Sequence, residues 1–167
     1  QALHQLFFEP YTQEQQTVEA NSGQVAAFYG QARPGAASPQ EFVHYKWADT
    51  YRDLQRLRQS KAGRDPFDAT TLEFRNPVTG GPTMPTIQCA VHLLEPDHQT
   101  ESHRHTSTAI YYAYRGTGTT TISDQKFDWN QGDSFVVPLW HDHSHANRSG
   151  DSEAILLSMS DAPVLKA

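Results

Sequence analysis

Nine histidines stand among the 167 residues, and five of them, His103, His105, His141, His143 and His145, fall in one stretch. His103-Arg104-His105 is a His-x-His pair. On a strand, residues two apart point to the same face, so both imidazoles can reach one ion while Arg104 points away. Neutral imidazole is the commonest side-chain ligand for iron, zinc, copper and nickel. The second cluster, Pro138 to Asn147, places histidine at three alternate positions. On one strand these three would share a face with about 6–7 Å between successive side chains. They cannot all join His103 and His105 on one ion, so one is a ligand and its neighbours form a second layer or a pocket wall.

The elements around these residues must place them. From Thr70 onward, short runs rich in β-branched and aromatic residues alternate with turn signals: Thr71–Arg75, Pro85–Leu94, Thr108–Tyr114, Thr119–Ser123, Gln125–Trp129, Ser134–Pro138, His141–Asn147 and Glu153–Met159. Strands so spaced with no helix between them predict an antiparallel sandwich or small barrel. Ahead of them, Trp47, Tyr51, Leu54 and Leu57 recur every three or four residues. That spacing predicts one amphipathic helix over about 47–60, ended by Gly63 and Pro66. The first 40 residues lack periodicity and read as an arm, with Phe7, Phe8, Tyr11, Phe28 and Tyr29 as anchors. The chain thus divides into an arm with its helix, 1–69, and a β-barrel, 70–167.

Composition narrows the partners. A formal net charge of −6 disfavours nucleic acid and anionic membrane surfaces. No apolar run is long enough to span a bilayer. A single cysteine, Cys89, excludes an internal disulfide and fits a reducing cytoplasm; its strand position reads as a small buried hydrophobe. The first residues carry no export signal.

The spacing of the histidines resembles the two motifs of the cupin superfamily. The first runs Gly, five residues, His-x-His, three or four residues, Glu, six residues, Gly; His103, His105 and Gly116 fit it. The second runs Gly, five residues, Pro-x-Gly, two residues, His, three residues, Asn; Gly132, Pro138, His143 and Asn147 fit it. The leading Gly of the first motif falls on Asp97, its Glu on Ala109, and the inner Gly of the second on Trp140. The last two departures, with the phrases Asn76 to Pro82, His103 to Ser107 and Pro138 to Asn147, resemble the gentisate 1,2-dioxygenase-like bicupins, which include salicylate and 1-hydroxy-2-naphthoate dioxygenases. Tyr45 to Thr50 looks like the segment joining the two cupins of that branch.

The resemblance implies an all-β cupin, a double-stranded β-helix or jelly roll, matching the C-terminal half of a bicupin whose N-terminal cupin would precede residue 1. It implies Fe(II) held by His103, His105 and His143, with open positions for a chelating hydroxy acid and O2. His145 takes the place of the family histidine that hydrogen-bonds substrate, with proton transfer as its task; His141 has no assigned role. Gln88, Ala90, His92, Tyr111 and Trp140 take substrate-lining places. Tyr111 stands where the family commonly has an Arg for an anionic substrate, which leaves Arg75 and Arg115 as candidate cations to pair with one. The expected partners are a small aromatic acid, O2 and further copies of the chain in a homo-oligomer. Two other readings stay open: a metal-binding half that serves assembly without turnover, and a cupin enzyme using another divalent metal.

Overall fold

A computed structural model describes residues 43–60, 64–77 and 80–165. The arm anchors Phe7, Phe8, Tyr11, Phe28 and Tyr29, and the helix terminator Gly63, lie outside the described residues. Helix α1 (Trp47–Gln59) is followed by β1 (Arg64–Asp65), β2 (Ala69–Glu73), β3 (Gln88–Leu94), β4 (Ala109–Arg115), β5 (Thr117–Ile122), β6 (Gln125–Asn130), β7 (Ser134–Val137), β8 (His143–Asn147), β9 (Ala154–Ser160) and the short helix α2 (Ala162–Leu165). The strands form a six-stranded sheet, β1-β2-β3-β9-β4-β7, and a three-stranded sheet, β6-β5-β8. Every strand pair is antiparallel. The sheet begins at Arg64, ahead of the division expected at residue 70, because β1 pairs with β2.

Strand parity divides the core in two. On the inner face Leu94, Ala109, Tyr111, Ala113, Val137 and Leu156 meet Ile122 and Trp129 of the smaller sheet. On the outer face Val91, Leu93 and Ile155 meet Leu54, with Trp47 and Tyr51 alongside. Successive residues of β3 and β9 therefore serve opposite faces, the period-two pattern of a sheet covered on both sides. The helix contributes its buried Thr50 and Leu54 to this seat. Glu153 then ties it down: Tyr51 donates to Oε1 at 2.7 Å, Gln55 to Oε2 at 3.1 Å and Arg115 to Oε1 at 2.9 Å.

The turns keep the backbone that the motif spacing implied. Gly116 and Gly132 adopt φ of 83° and 96°, the left-handed region in which a Cβ is penalised. Asp97 and Trp140, which replace motif glycines, adopt the same region at 56° and 62°. The left-handed backbone is thus present at both places without a glycine. At Gly118 the reason for glycine is close approach, since a Cβ there would overlap the Trp129 ring and the Ala146 carbonyl. Asn147 closes the second motif by donating to the carbonyls of Leu94, Glu95 and Ser152 at 3.2, 3.1 and 2.7 Å. No helix among the described residues is long and apolar enough to cross a membrane.

Candidate metal centre and cavity

The two motifs meet through their backbones. The His103 N–H donates to the His143 carbonyl at 3.0 Å and the His143 N–H returns to the His103 carbonyl at 2.8 Å. This isolated antiparallel bridge puts both rings on one side, with centroids 4.3 Å apart. The ring of His105, two residues on, stands 5.8 Å from that of His103 and 4.9 Å from that of His143. One ligand atom from each of the three lies within 4.8 Å of the others. Nitrogens bound at about 2.1 Å to one ion stand about 3–4 Å apart, so side-chain movements of less than about 1 Å would bring the three rings onto it.

The hydrogen bonds point the same way. His105 Nδ1–H donates to the Ser107 carbonyl at 2.7 Å, and His143 Nδ1–H to the His141 carbonyl at 3.1 Å. Each bond leaves the Nε2 lone pair free, the arrangement metal-binding imidazoles use. His143 Nε2 is buried without a partner, as a ligand nitrogen would be with its ion removed. Burial holds the His143 pKa down to about 4, so its ring is neutral at neutral pH. Ala109, buried where the motif has Glu, adds no fourth ligand. The residues present fit a divalent ion bound through three neutral nitrogens.

A cavity of about 550 Å³ opens beside this cluster. His105, Ala109 and Tyr111 line it, as do Gln88, Ala90 and His92 from the inner face of β3. Burial raises the Tyr111 hydroxyl pKa well above its ordinary value, so it remains protonated. Tyr111 stacks on Phe135 with centroids 5.3 Å apart. Arg75 reaches the rim and is hydrogen-bonded to Glu73. Arg115 faces the opposite side of the sheet, over Tyr51 and against Glu153.

Trp140 requires a correction. Expected among the substrate-lining residues, it lies outside the cavity lining, is 54% exposed and stacks beneath the Arg104 guanidinium at 4.8 Å. The left-handed backbone at this position aims its side chain outward.

His145 is buried behind the cluster, its ring 5.6 Å from that of His143 and 4.7 Å from that of Tyr111. Trp129 Nε1–H donates to Thr120 Oγ1 at 3.0 Å, and Thr120 Oγ1 lies 2.9 Å from His145 Nδ1. Thr120 is fully buried, and donation to His145 is the way its own proton finds a partner. This assigns the proton of neutral His145 to Nε2, a buried atom without a hydrogen-bond partner among the described residues. Burial holds the His145 pKa well below its ordinary value. His141 turns back on its own loop, its Nδ1 2.9 Å from the Leu139 carbonyl.

Sequence reading missed Thr71, Asp68 and Ser158. Thr71 and Ser158 hold His92 at 2.8 Å on either side. For Ser158 a signal existed: Ala154, Leu156, Ser158 and Ser160 share one parity of β9, and the change from apolar to polar along it marks where the inner face turns from core to cavity.

With this geometry in place, the chain can be set beside known proteins. Residues 90–160 match the family described as Cupin domain. The chain is 40% identical over 128 residues to the 5-aminosalicylate 1,2-dioxygenase of a Comamonas species, a match covering 77% of this chain and 34% of that protein. It is 34% identical over 171 residues to the 1-hydroxy-2-naphthoate 1,2-dioxygenase of Nocardioides sp. strain KP7, covering 100% of this chain and 44% of the relative. Among solved structures, a salicylate 1,2-dioxygenase from Pseudaminobacter salicylatoxidans superposes with a TM-score of 0.65 at 26% identity, covering 73% of this chain and 35% of that one. The chain thus spans a third to under half the length of these relatives.

Proposed function

The chain carries a cupin domain related to those of gentisate- and salicylate-type dioxygenases, and on that premise we propose that it forms the C-terminal cupin of an Fe(II)-dependent enzyme that opens the ring of a hydroxylated aromatic carboxylate. One observation carries this reading: His103, His105 and His143 converge beside a cavity large enough for an aromatic acid, and no fourth ligand joins them among the described residues. Bound there, iron would supply a redox-active centre through which the ring's electrons reach O2.

The chain's own residues would do the rest. His143 and His105 offer Nε2 because their Nδ1 protons are committed to carbonyls. Ala109 leaves space where a carboxylate would otherwise stand. Tyr111, backed by the stacked Phe135, gives the cavity an aromatic side, and its protonated hydroxyl would offer a hydrogen bond in place of an Arg charge. His145 carries its proton at Nε2, fixed by Thr120 and Trp129, but it stands behind Tyr111 and His143 and outside the cavity lining, so it would position those rings and not meet the substrate directly. The substrate class would be that of the relatives' names, salicylate-type acids, with O2 as co-substrate.

Metal analysis of the full-length protein, purified without added metal, tests the site, and O2 uptake with salicylate, gentisate and 1-hydroxy-2-naphthoate tests the reaction. About one iron per chain, with uptake lost in His103→Ala, supports the proposal. Another metal overturns the iron assignment. Iron bound here with O2 uptake untouched by His103→Ala overturns catalysis at this site. That outcome favours a second reading, a metal-binding assembly half, which draws on the chain's short span of its relatives.

A further inference from the structure

The hydrogen bonds around His92 have a direction. The Thr71 hydroxyl donates to the Asp68 carbonyl at 2.5 Å. Its single proton is thereby used, so toward His92 it acts as an acceptor. His92 Nδ1 lies 2.8 Å from Thr71 Oγ1 and 3.4 Å from the Asp68 carbonyl, and both of these accept. His92 therefore carries its proton on Nδ1. Burial lowers its pKa, so the ring is neutral and Nε2 bears a lone pair. Nε2 lies 2.8 Å from Ser158 Oγ. The Ser158 proton must point at His92, and what Ser158 turns toward the cavity it lines is an oxygen with lone pairs and no proton to give.

The charges around it agree. Asp68 and Glu73 line the same cavity, and its cation, Arg75, is hydrogen-bonded to Glu73. An acceptor-only group on the ligand would meet lone pairs at Ser158 and carboxylates nearby. A donor would meet a partner.

We propose that Ser158 is a specificity-determining residue of this cavity and selects aromatic acids bearing a ring hydroxyl or amino substituent, whose proton it accepts, over acids bearing a hydrogen, nitro or second carboxylate group there. The inference rests on the ring-cleaving reading above and adds to it the chemistry of the substituent away from the chelating pair. A site built to bond a donor rejects the analogue lacking one, because its buried oxygen is then left without a partner.

The test is anaerobic calorimetric titration of the full chain loaded with Fe(II), so that binding is read without turnover. The probes are salicylate and its 4- and 5-substituted hydroxy, amino and nitro derivatives, which place the substituent far from the chelating pair. At one of the two positions, hydroxyl and amino are expected to tighten binding about five- to tenfold over salicylate, with no gain from nitro. Ser158→Ala should erase that preference, while Ser158→Thr, which keeps the hydroxyl, retains it. Equal binding of donor and nitro derivatives, or a preference that survives in Ser158→Ala, overturns the assignment to Ser158 alone. Failure of every hydroxybenzoate to bind overturns the ring-cleaving reading and this inference with it.

Discussion

His103 and His143 exchange both backbone hydrogen bonds, at 3.0 and 2.8 Å, although 40 residues of chain separate them. The bridge fixes the spacing of their rings before any ion arrives. Geometry set by the backbone in this way costs little ordering when a metal binds. The first prediction follows: His143→Ala removes a proposed ligand and leaves the loop pairing, which uses main-chain atoms. Calorimetric titration with a divalent ion should show affinity lower by at least about 100-fold, with a far-ultraviolet circular dichroism spectrum like that of the wild type.

Ala109 sits at 2% exposure where the family motif supplies Glu. Ala109→Glu should destabilise the metal-free protein by about 2–4 kcal/mol, since it buries a carboxylate without a partner. With metal present the carboxylate gains one. The metal-induced rise in melting temperature should therefore exceed that of the wild type. An equal or smaller rise would place residue 109 away from the ion.

Trp140 holds a left-handed φ of 62° and covers the Arg104 guanidinium. Substituting it by Gly or by Ala removes the same ring contact, but only Gly accepts this backbone freely. Trp140→Gly should be more stable than Trp140→Ala by about 1 kcal/mol in chemical denaturation. The reverse order would mean that the ring, and no backbone requirement, sets this turn.

Acid should weaken the fold through its buried histidines. His92 has its pKa lowered by burial, so the folded state binds its proton less readily than the unfolded chain. A base shifted down contributes stability that is present above its unfolded pKa, about 6.5, and is lost as pH falls below that value. His143, held near 4, and His145 act in the same sense. Urea midpoints of the metal-free protein should therefore fall between about pH 6.5 and 5. His92→Gln should make that fall shallower, because Gln has nothing to protonate.

The amino-acid sequence by itself determined the spacing of the clustered histidines, the strand parity and the places where the chain turns. His103 and His105 are two apart, so a strand or extended segment puts their rings together without help from the rest of the molecule. Gln88, Ala90 and His92 share a parity opposite to Val91 for the same local reason. Gly116 and Gly132 mark left-handed turns because few other residues take that backbone without cost. The antiparallel β architecture was legible because such signals are local and repeat along the chain, and the resemblance of the two histidine motifs to cupins narrowed it to a jelly roll.

Only the tertiary structure decided what those residues meet. Trp140 reads from sequence as a wall of the cavity, and one positive φ sends it to solvent. Arg75 and Arg115 read alike as cations, yet Arg75 reaches the cavity rim bound to Glu73, while Arg115 is tied to Glu153 beneath the helix. The proton direction from Ser158 through His92 to Thr71 joins residues 66 and 21 positions apart. No local pattern encodes such a chain, because each hydrogen bond's polarity depends on what its neighbour has already given away.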